Sequence, residues 1–163
     1  MCAARGVFLL GTLLILLLSP ATADDLDKAQ SALAALRSDL QSERIARATI
    51  FSIPYTVFTS YAVTPERLEV HSRAKQMSVD LSAALIKELI KAIDDTQLEL
   101  HSGLLDLKWG AVFYDKAGVR IHSTYLVGQY DPLGTGKGGN IGGVDVKLNG
   151  SLISWFESNF GTR

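Results

Sequence analysis

The chain has 163 residues, of which 47% are hydrophobic and 20% charged, and its formal net charge at pH 7 is −1. Its lysines and arginines are scattered, which argues against nucleic-acid binding, because that function needs a concentrated positive surface. The single cysteine is Cys2, within the leader described next, so the mature chain is expected to lack disulfides, thiol nucleophiles and thiolate metal ligands.

The first 23 residues have the layout of a secretory signal peptide. Arg5 gives a basic start, residues 7–18 are almost wholly apolar, and Ala21 and Ala23 form a cleavage site for signal peptidase. The apolar run is shorter than the roughly 20 residues that a spanning helix needs. We predict cleavage after Ala23, export to the periplasm or the extracellular space, and no membrane association after cleavage. Residues 24–163 are then expected to form a single domain.

The first predicted helix runs from Asp24 to about Glu43. Its apolar residues recur every three or four positions, as in a narrow helical stripe: Leu26, Ala29, Leu33, Leu36 and Leu40. Such a helix either docks on its own domain or binds a partner. The run is too short for a sustained coiled coil, which favours docking.

The middle of the chain alternates between strand and helix signals. Residues 47–61 are β-rich but contain Pro54, which predicts two short strands or one edge strand bent at the proline. Thr64 followed by Pro65 is typical of a helix start. Residues 75–79 alternate as in a strand. Residues 80–95 give the strongest helix pattern, with Asp80 as its N-cap, and a linker is expected at residues 98–103.

Leu105–Val127 is predicted to form a β-hairpin, because apolar and polar residues alternate along both halves. Residues 116–118 fit a three-residue turn with Gly118 in the left-handed conformation, which places Asp115 opposite Val119. The inward pairs are then Phe113–Ile121, Ala111–Ser123, Trp109–Tyr125 and Leu107–Val127.

The same register predicts a polar outer face on the hairpin. Tyr114 is expected beside Arg120, and His122 beside Val112, all exposed to solvent. Lys108 is expected to be so exposed that its replacement by alanine has almost no effect. We take Tyr114, Arg120 and His122 as candidate binding residues.

Residues 128–143 contain seven glycines and are predicted to form a long, mobile surface loop. Most connections run about 4–6 residues, so a loop of this length is a candidate binding element. Its candidate contact residues are Gln129, Tyr130, Asp131 and Lys137. A strand at residues 144–148 and a last helix from Ser151 follow.

No motif indicates a catalytic residue, a metal or a cofactor. Residues 134–139 match G-x-G-x-x-G, but the flanking strand and helix of a dinucleotide site are missing. His71, His101 and His122 have no metal-ligand spacing, although ligands from separate strands can converge on zinc. No G-x-S-x-G elbow marks a serine nucleophile.

Together these patterns predict an α+β domain: a mostly antiparallel sheet of four to five strands, helices on one face, and an N-terminal helix. We expect a small exported binding protein without catalytic activity that recognises a small ligand or a protein partner. The alternative is an exported hydrolase or metal-dependent enzyme that uses a histidine.

Overall fold

The computed structural model describes residues 23–54, 56–57, 61–128 and 137–161. These residues form four helices and one antiparallel sheet, which confirms the α+β class, but the sheet has seven strands where four to five were predicted. The helices are α1 (Ala23–Gln41), α2 (Pro65–Val70), α3 (Ala83–Asp94) and α4 (Leu152–Phe160). The strands are β1 (Ile45–Ser52), β2 (Lys75–Asp80), β3 (Gln97–Leu100), β4 (Leu107–Asp115), β5 (Arg120–Val127), β6 (Gly138–Ile141) and β7 (Val144–Asn149).

The strand order across the sheet is β2-β1-β4-β5-β6-β7-β3. β4 to β7 follow one another as neighbours, and every neighbouring pair is antiparallel. β2 and β3 form opposite edges of the sheet, so α3, which connects them, crosses the whole sheet.

Helices cover both faces of the sheet, so the prediction that they pack on one face is wrong. The Trp109 ring faces Phe156 of α4, with ring centroids 6.5 Å apart. A Cβ on the adjacent Gly110 would lie 3.1 Å from Leu68 of α2. Neighbouring residues of a strand point to opposite faces, so α4 and α2 lie on opposite sides. α1 and α4 both contact α3, which places these three helices together.

The apolar stripe of α1 packs into the core of its own domain. Ala29, Leu33, Leu36 and Leu40 are buried, and the helix contacts α3, β3 and β7. This confirms the interpretation of α1 as a docking helix. Within the described part of the chain, no helix combines the length and apolar character needed to cross a membrane.

The boundaries of β1, α2 and α3 test three local predictions. β1 ends before Pro54 and pairs with β2 on one side and β4 on the other, so it is not the predicted edge strand. Thr64 caps α2 as predicted, and its hydroxyl accepts the Arg67 N–H at 3.4 Å. The N-cap of α3 is Ser82, whose hydroxyl accepts the Leu85 N–H at 3.3 Å; Asp80 instead ends β2.

Two strands lie where loops were expected. β3 occupies part of the predicted 98–103 linker and pairs with β7. β6 occupies part of the predicted glycine loop and pairs with β5 and β7, so this part is an interior strand. A Cβ on Gly139 would lie 2.4 Å from the Tyr125 carbonyl oxygen, so glycine is needed there for close strand packing. Residues 129–136 lie outside the described residues.

The predicted hairpin forms between β4 and β5, but its register is correct only at its ends. The Asp115 N–H donates to the Val119 carbonyl at 3.0 Å, and Gly118 has a φ of 80°. Tyr114 pairs with Arg120, and Leu107 with Val127, as predicted. Between these pairs the register shifts by one residue, so that Phe113 pairs with His122 and Trp109 with Leu126.

Two β-bulges cause the shift in register. The extra residue is Ile121 on β5 and Lys108 on β4. Lys108 is 6% exposed, and its ammonium lies 2.9 Å from the Asp106 carboxylate. The expectation of an exposed, expendable Lys108 is therefore wrong.

Candidate functional site

The bulge at Ile121 sends two predicted binding residues to opposite faces of the sheet. A regular strand places residues two apart on one face, but the extra residue separates Arg120 from His122. Arg120 contacts Glu69 of α2, whereas His122 contacts Asp39 of α1. The predicted outer face with both side chains therefore does not exist. Tyr114 is half-buried on the α2 side, with the Arg47 guanidinium 5.4 Å from its ring centroid.

Arg120 belongs to a polar cluster that ties α2 to the sheet. Its guanidinium donates to the Tyr125 hydroxyl at 2.7 Å and to Glu69 at 3.1 Å, while the Tyr125 hydroxyl donates to Glu69. Burial disfavours the phenolate and, with the Glu69 hydrogen bond, raises the pKa of Tyr125 to about 12. Because these groups satisfy one another, we assign the cluster a structural role.

On the opposite face, His122 is held by a carboxylate of α1. Its Nε2 lies 2.8 Å from Asp39 Oδ2, and Arg44 approaches the same carboxylate at 3.3 Å. The hydrogen bond with His122 is the largest factor that lowers the pKa of Asp39 from its usual value, and Arg44 adds to it. An ionised carboxylate only accepts hydrogen bonds, so Nε2 is the donor in this pair and Nδ1 is the nitrogen that Asp39 leaves free.

His122 lines a pocket between α1 and the sheet, which we call the α1–β5 pocket. Its walls are Ala32, Leu36, residues 120–124 and residues 141–143, and its volume is about 400 Å³. Such a volume lies in the range of small-molecule sites. One wall is apolar, from α1 and Ile141, and the other carries the imidazole.

A tight turn closes the far end of the α1–β5 pocket. Gly142 and Gly143 join β6 to β7 with φ angles of 61° and 82°. A Cβ on Gly142 would lie 2.7 Å from the Ala32 Cβ, so glycine lets α1 approach the turn. The Lys28 ammonium would lie 3.7 Å from a Cβ on Gly143, so a cation stands over this end. The pocket therefore has an imidazole in its wall and an ammonium near the turn that closes it.

Among the other candidate residues, Arg120 also lines this pocket, although its guanidinium binds Glu69 and Tyr125. Gln129, Tyr130 and Asp131 lie outside the described residues. Lys137 is exposed just before β6, where its carbonyl accepts the Leu148 N–H at 3.1 Å.

The three histidines have different surroundings. His71 accepts the Arg73 N–H at 3.2 Å, and His122 binds Asp39. Both ring nitrogens of His101 are buried and have no hydrogen-bond partner among the described residues. Among the residues that the structure describes, no three metal-ligating side chains come together.

Sequence reasoning identified His122 but missed Asp39 and the α1 wall. Asp39 lies directly before Leu40 of the buried stripe, which placed a carboxylate beside the docking face. Its pairing with a residue 83 positions away depends on how α1 docks.

Comparison with protein families, with curated proteins and with solved structures found no match.

Proposed function

We propose that this protein is a small exported binding protein that holds a small polar ligand in the α1–β5 pocket. The observation that carries the proposal is a pocket of about 400 Å³ in which Asp39 orients the His122 imidazole. Orientation of a ring by a second hydrogen bond fixes which nitrogen meets a ligand, and it lowers the entropy lost on binding.

The chemistry of the pocket walls restricts the kind of ligand that fits. With Nε2 turned to Asp39, Nδ1 is the ring nitrogen left for a ligand, and in a neutral ring it accepts a hydrogen bond, so a hydroxyl or amide donor fits it. Ile141, Ala32 and Leu36 offer an apolar surface on the other side. A compact molecule with one polar and one apolar edge satisfies both walls.

A matched pair of α1 substitutions tests the proposal. Small polar metabolites are first screened by the rise in melting temperature that binding produces. Ala32→Met should fill the pocket and lower the affinity for each ligand found in the screen at least about tenfold. This corresponds to a loss of about 1.4 kcal/mol of binding free energy. Ala35→Met, the same change at an exposed position of α1, should leave affinity unchanged. Equal affinities in the two variants would overturn the proposal.

The Asp39–His122 pair also favours an alternative function, because an oriented histidine is the acid–base half of a hydrolytic site. In the described part of the chain, no serine or threonine hydroxyl is hydrogen-bonded to His122, which favours binding over hydrolysis. Turnover of an activated acetate ester, lost in His122→Gln and retained in His71→Gln, would favour the hydrolase. Equal background rates of ester hydrolysis in the wild type, His122→Gln and His71→Gln would support the binding proposal.

A further inference from the structure

The apolar face of α3 is wider than the surface that covers it. Leu89, Ala92 and Ile93, in its second half, are buried. Four other apolar residues are only half-buried: Leu81 just before the helix, and Leu85, Ile86 and Ile90 within it. Apolar area left at the surface in one continuous strip marks a contact site more often than isolated residues do.

Leu81, Ile86 and Ile90 of this strip form one wall of a groove between α1 and α3, which we call the α1–α3 groove. Leu40 at the end of α1 and Ile45 at the start of β1 also line it, and they are 1% and 2% exposed. The groove therefore reaches down to the core. Its volume of about 600 Å³ is that of a small-molecule site.

Two lysines stand at the edge of the groove. Lys87 comes from α3 and Lys116 from the turn between β4 and β5, and both are exposed. Within the residues that the structure describes, neither ammonium has a carboxylate at ion-pair distance. Glu43 also lines the groove, so the rim carries two positive charges and one negative charge.

We propose that the α1–α3 groove binds an aliphatic chain with an acidic head group, such as a long-chain carboxylate. The chain lies along Ile86, Ile90 and Ile45, and the head group meets Lys87 and Lys116. An apolar floor with cations at its edge matches this ligand in both polarity and charge. This site is separate from the α1–β5 pocket and does not depend on the function proposed for it.

The test uses dodecanoate below its micellar concentration, with dodecanol and butyrate as matched probes, on the full mature chain. We expect saturable binding of dodecanoate at a single site and no measurable binding of butyrate. Ile86→Gln should lower the affinity for dodecanoate at least about tenfold, because it removes apolar contact with the chain of the ligand. Because Ile86 is half-exposed, this variant should fold; a wild-type circular dichroism spectrum checks that.

Charge variants test recognition of the head group. The double variant Lys87→Met, Lys116→Met should lower the affinity for dodecanoate about tenfold and leave the affinity for dodecanol unchanged. Lys91→Met, at an exposed α3 position outside the groove, should change neither. Ala32→Met should also change neither, which separates this site from the α1–β5 pocket.

Three results would overturn the proposal. The first is no saturable dodecanoate binding, and the second is binding that survives Ile86→Gln. The third is a concentration-dependent dimer that Ile86→Gln dissociates, which would make a second copy of the chain the occupant of the groove.

Discussion

At the scale of single residues, Asp106 shows how one carboxylate stabilises two parts of the core. Its oxygens lie 2.9 Å from the Lys108 ammonium and accept the Val63 N–H at 3.2 Å. Lys108 is almost fully buried, so its charge depends on this partner. A buried charge whose partner is removed destabilises a protein far more than a surface charge does.

Asp106→Ala should therefore lower the free energy of unfolding by about 3–5 kcal/mol, the range for an uncompensated buried charge. Urea denaturation measures this change. Asp27→Ala, at an exposed position of α1, should stay within about 0.5 kcal/mol of wild type. A small effect of Asp106→Ala would mean that water reaches Lys108.

Tyr125 gives a prediction about stability in alkali. Its pKa is 10.0 for the free side chain and about 12 in the folded protein. The unfolded state then loses the proton first, so the contribution of Tyr125 is complete below pH 10 and is lost as pH rises towards 12. Tyr125→Phe should show a smaller fall in unfolding free energy over this interval, measured by denaturation at several pH values. Identical pH profiles in the two proteins would contradict this.

At the scale of secondary-structure elements, β6 shows that a glycine-rich segment can be an interior strand. β6 lies between β5 and β7, and it begins with two glycines against which neighbouring groups pack closely. A Cβ on Gly139 would approach Leu126 and Leu148 to 2.8 and 3.1 Å, as well as the Tyr125 carbonyl. The absence of a side chain is therefore what lets these strands and side chains approach one another.

Gly139→Ala should destabilise the protein by about 1–3 kcal/mol or more, because the backbone carbonyl cannot move aside easily. Thermal or urea unfolding gives the value. Gly118→Asn is the control, since asparagine tolerates positive φ and nothing lies within 4 Å of a Cβ there. Equal stability of both variants would show that β6 is not packed as described.

The elements that the sequence revealed are those with local signals. α1, α3 and α4 follow from helical periodicity, and the turn at Gly118 from its loop chemistry. β3 and β6 have only four residues each, which is too short for a reliable alternation. The bulges at Lys108 and Ile121 depend on tertiary packing. The bulge at Ile121 put His122 on the face where Asp39 meets it, so the site was only partly predictable.

At the scale of the whole molecule, α1 forms part of both proposed sites. Its Ala32 and Leu36 wall the α1–β5 pocket, and its Leu40 lines the α1–α3 groove. The ion pair between Arg37 and Asp94, at 2.5 Å, joins α1 to α3. The position of α1 on the sheet therefore shapes both cavities.

The predicted processing site lies at the start of α1. The helix begins at Ala23, and its first buried residue is Ala29, so cleavage after Ala23 leaves the docking stripe intact. Mass spectrometry of the exported protein should give Asp24 as the first residue. An exported protein that still carries Met1 would contradict the predicted cleavage.

The central claim is that a ligand occupies the α1–β5 pocket beside His122. Amide NMR shifts, recorded while the tightest hit of the metabolite screen is titrated in, test it most directly. We predict that the largest changes fall on residues 121–124 and 141–143, which line the pocket. Changes centred on residues 81–90 or at the edge strand β2, with the pocket residues unmoved, would contradict the claim.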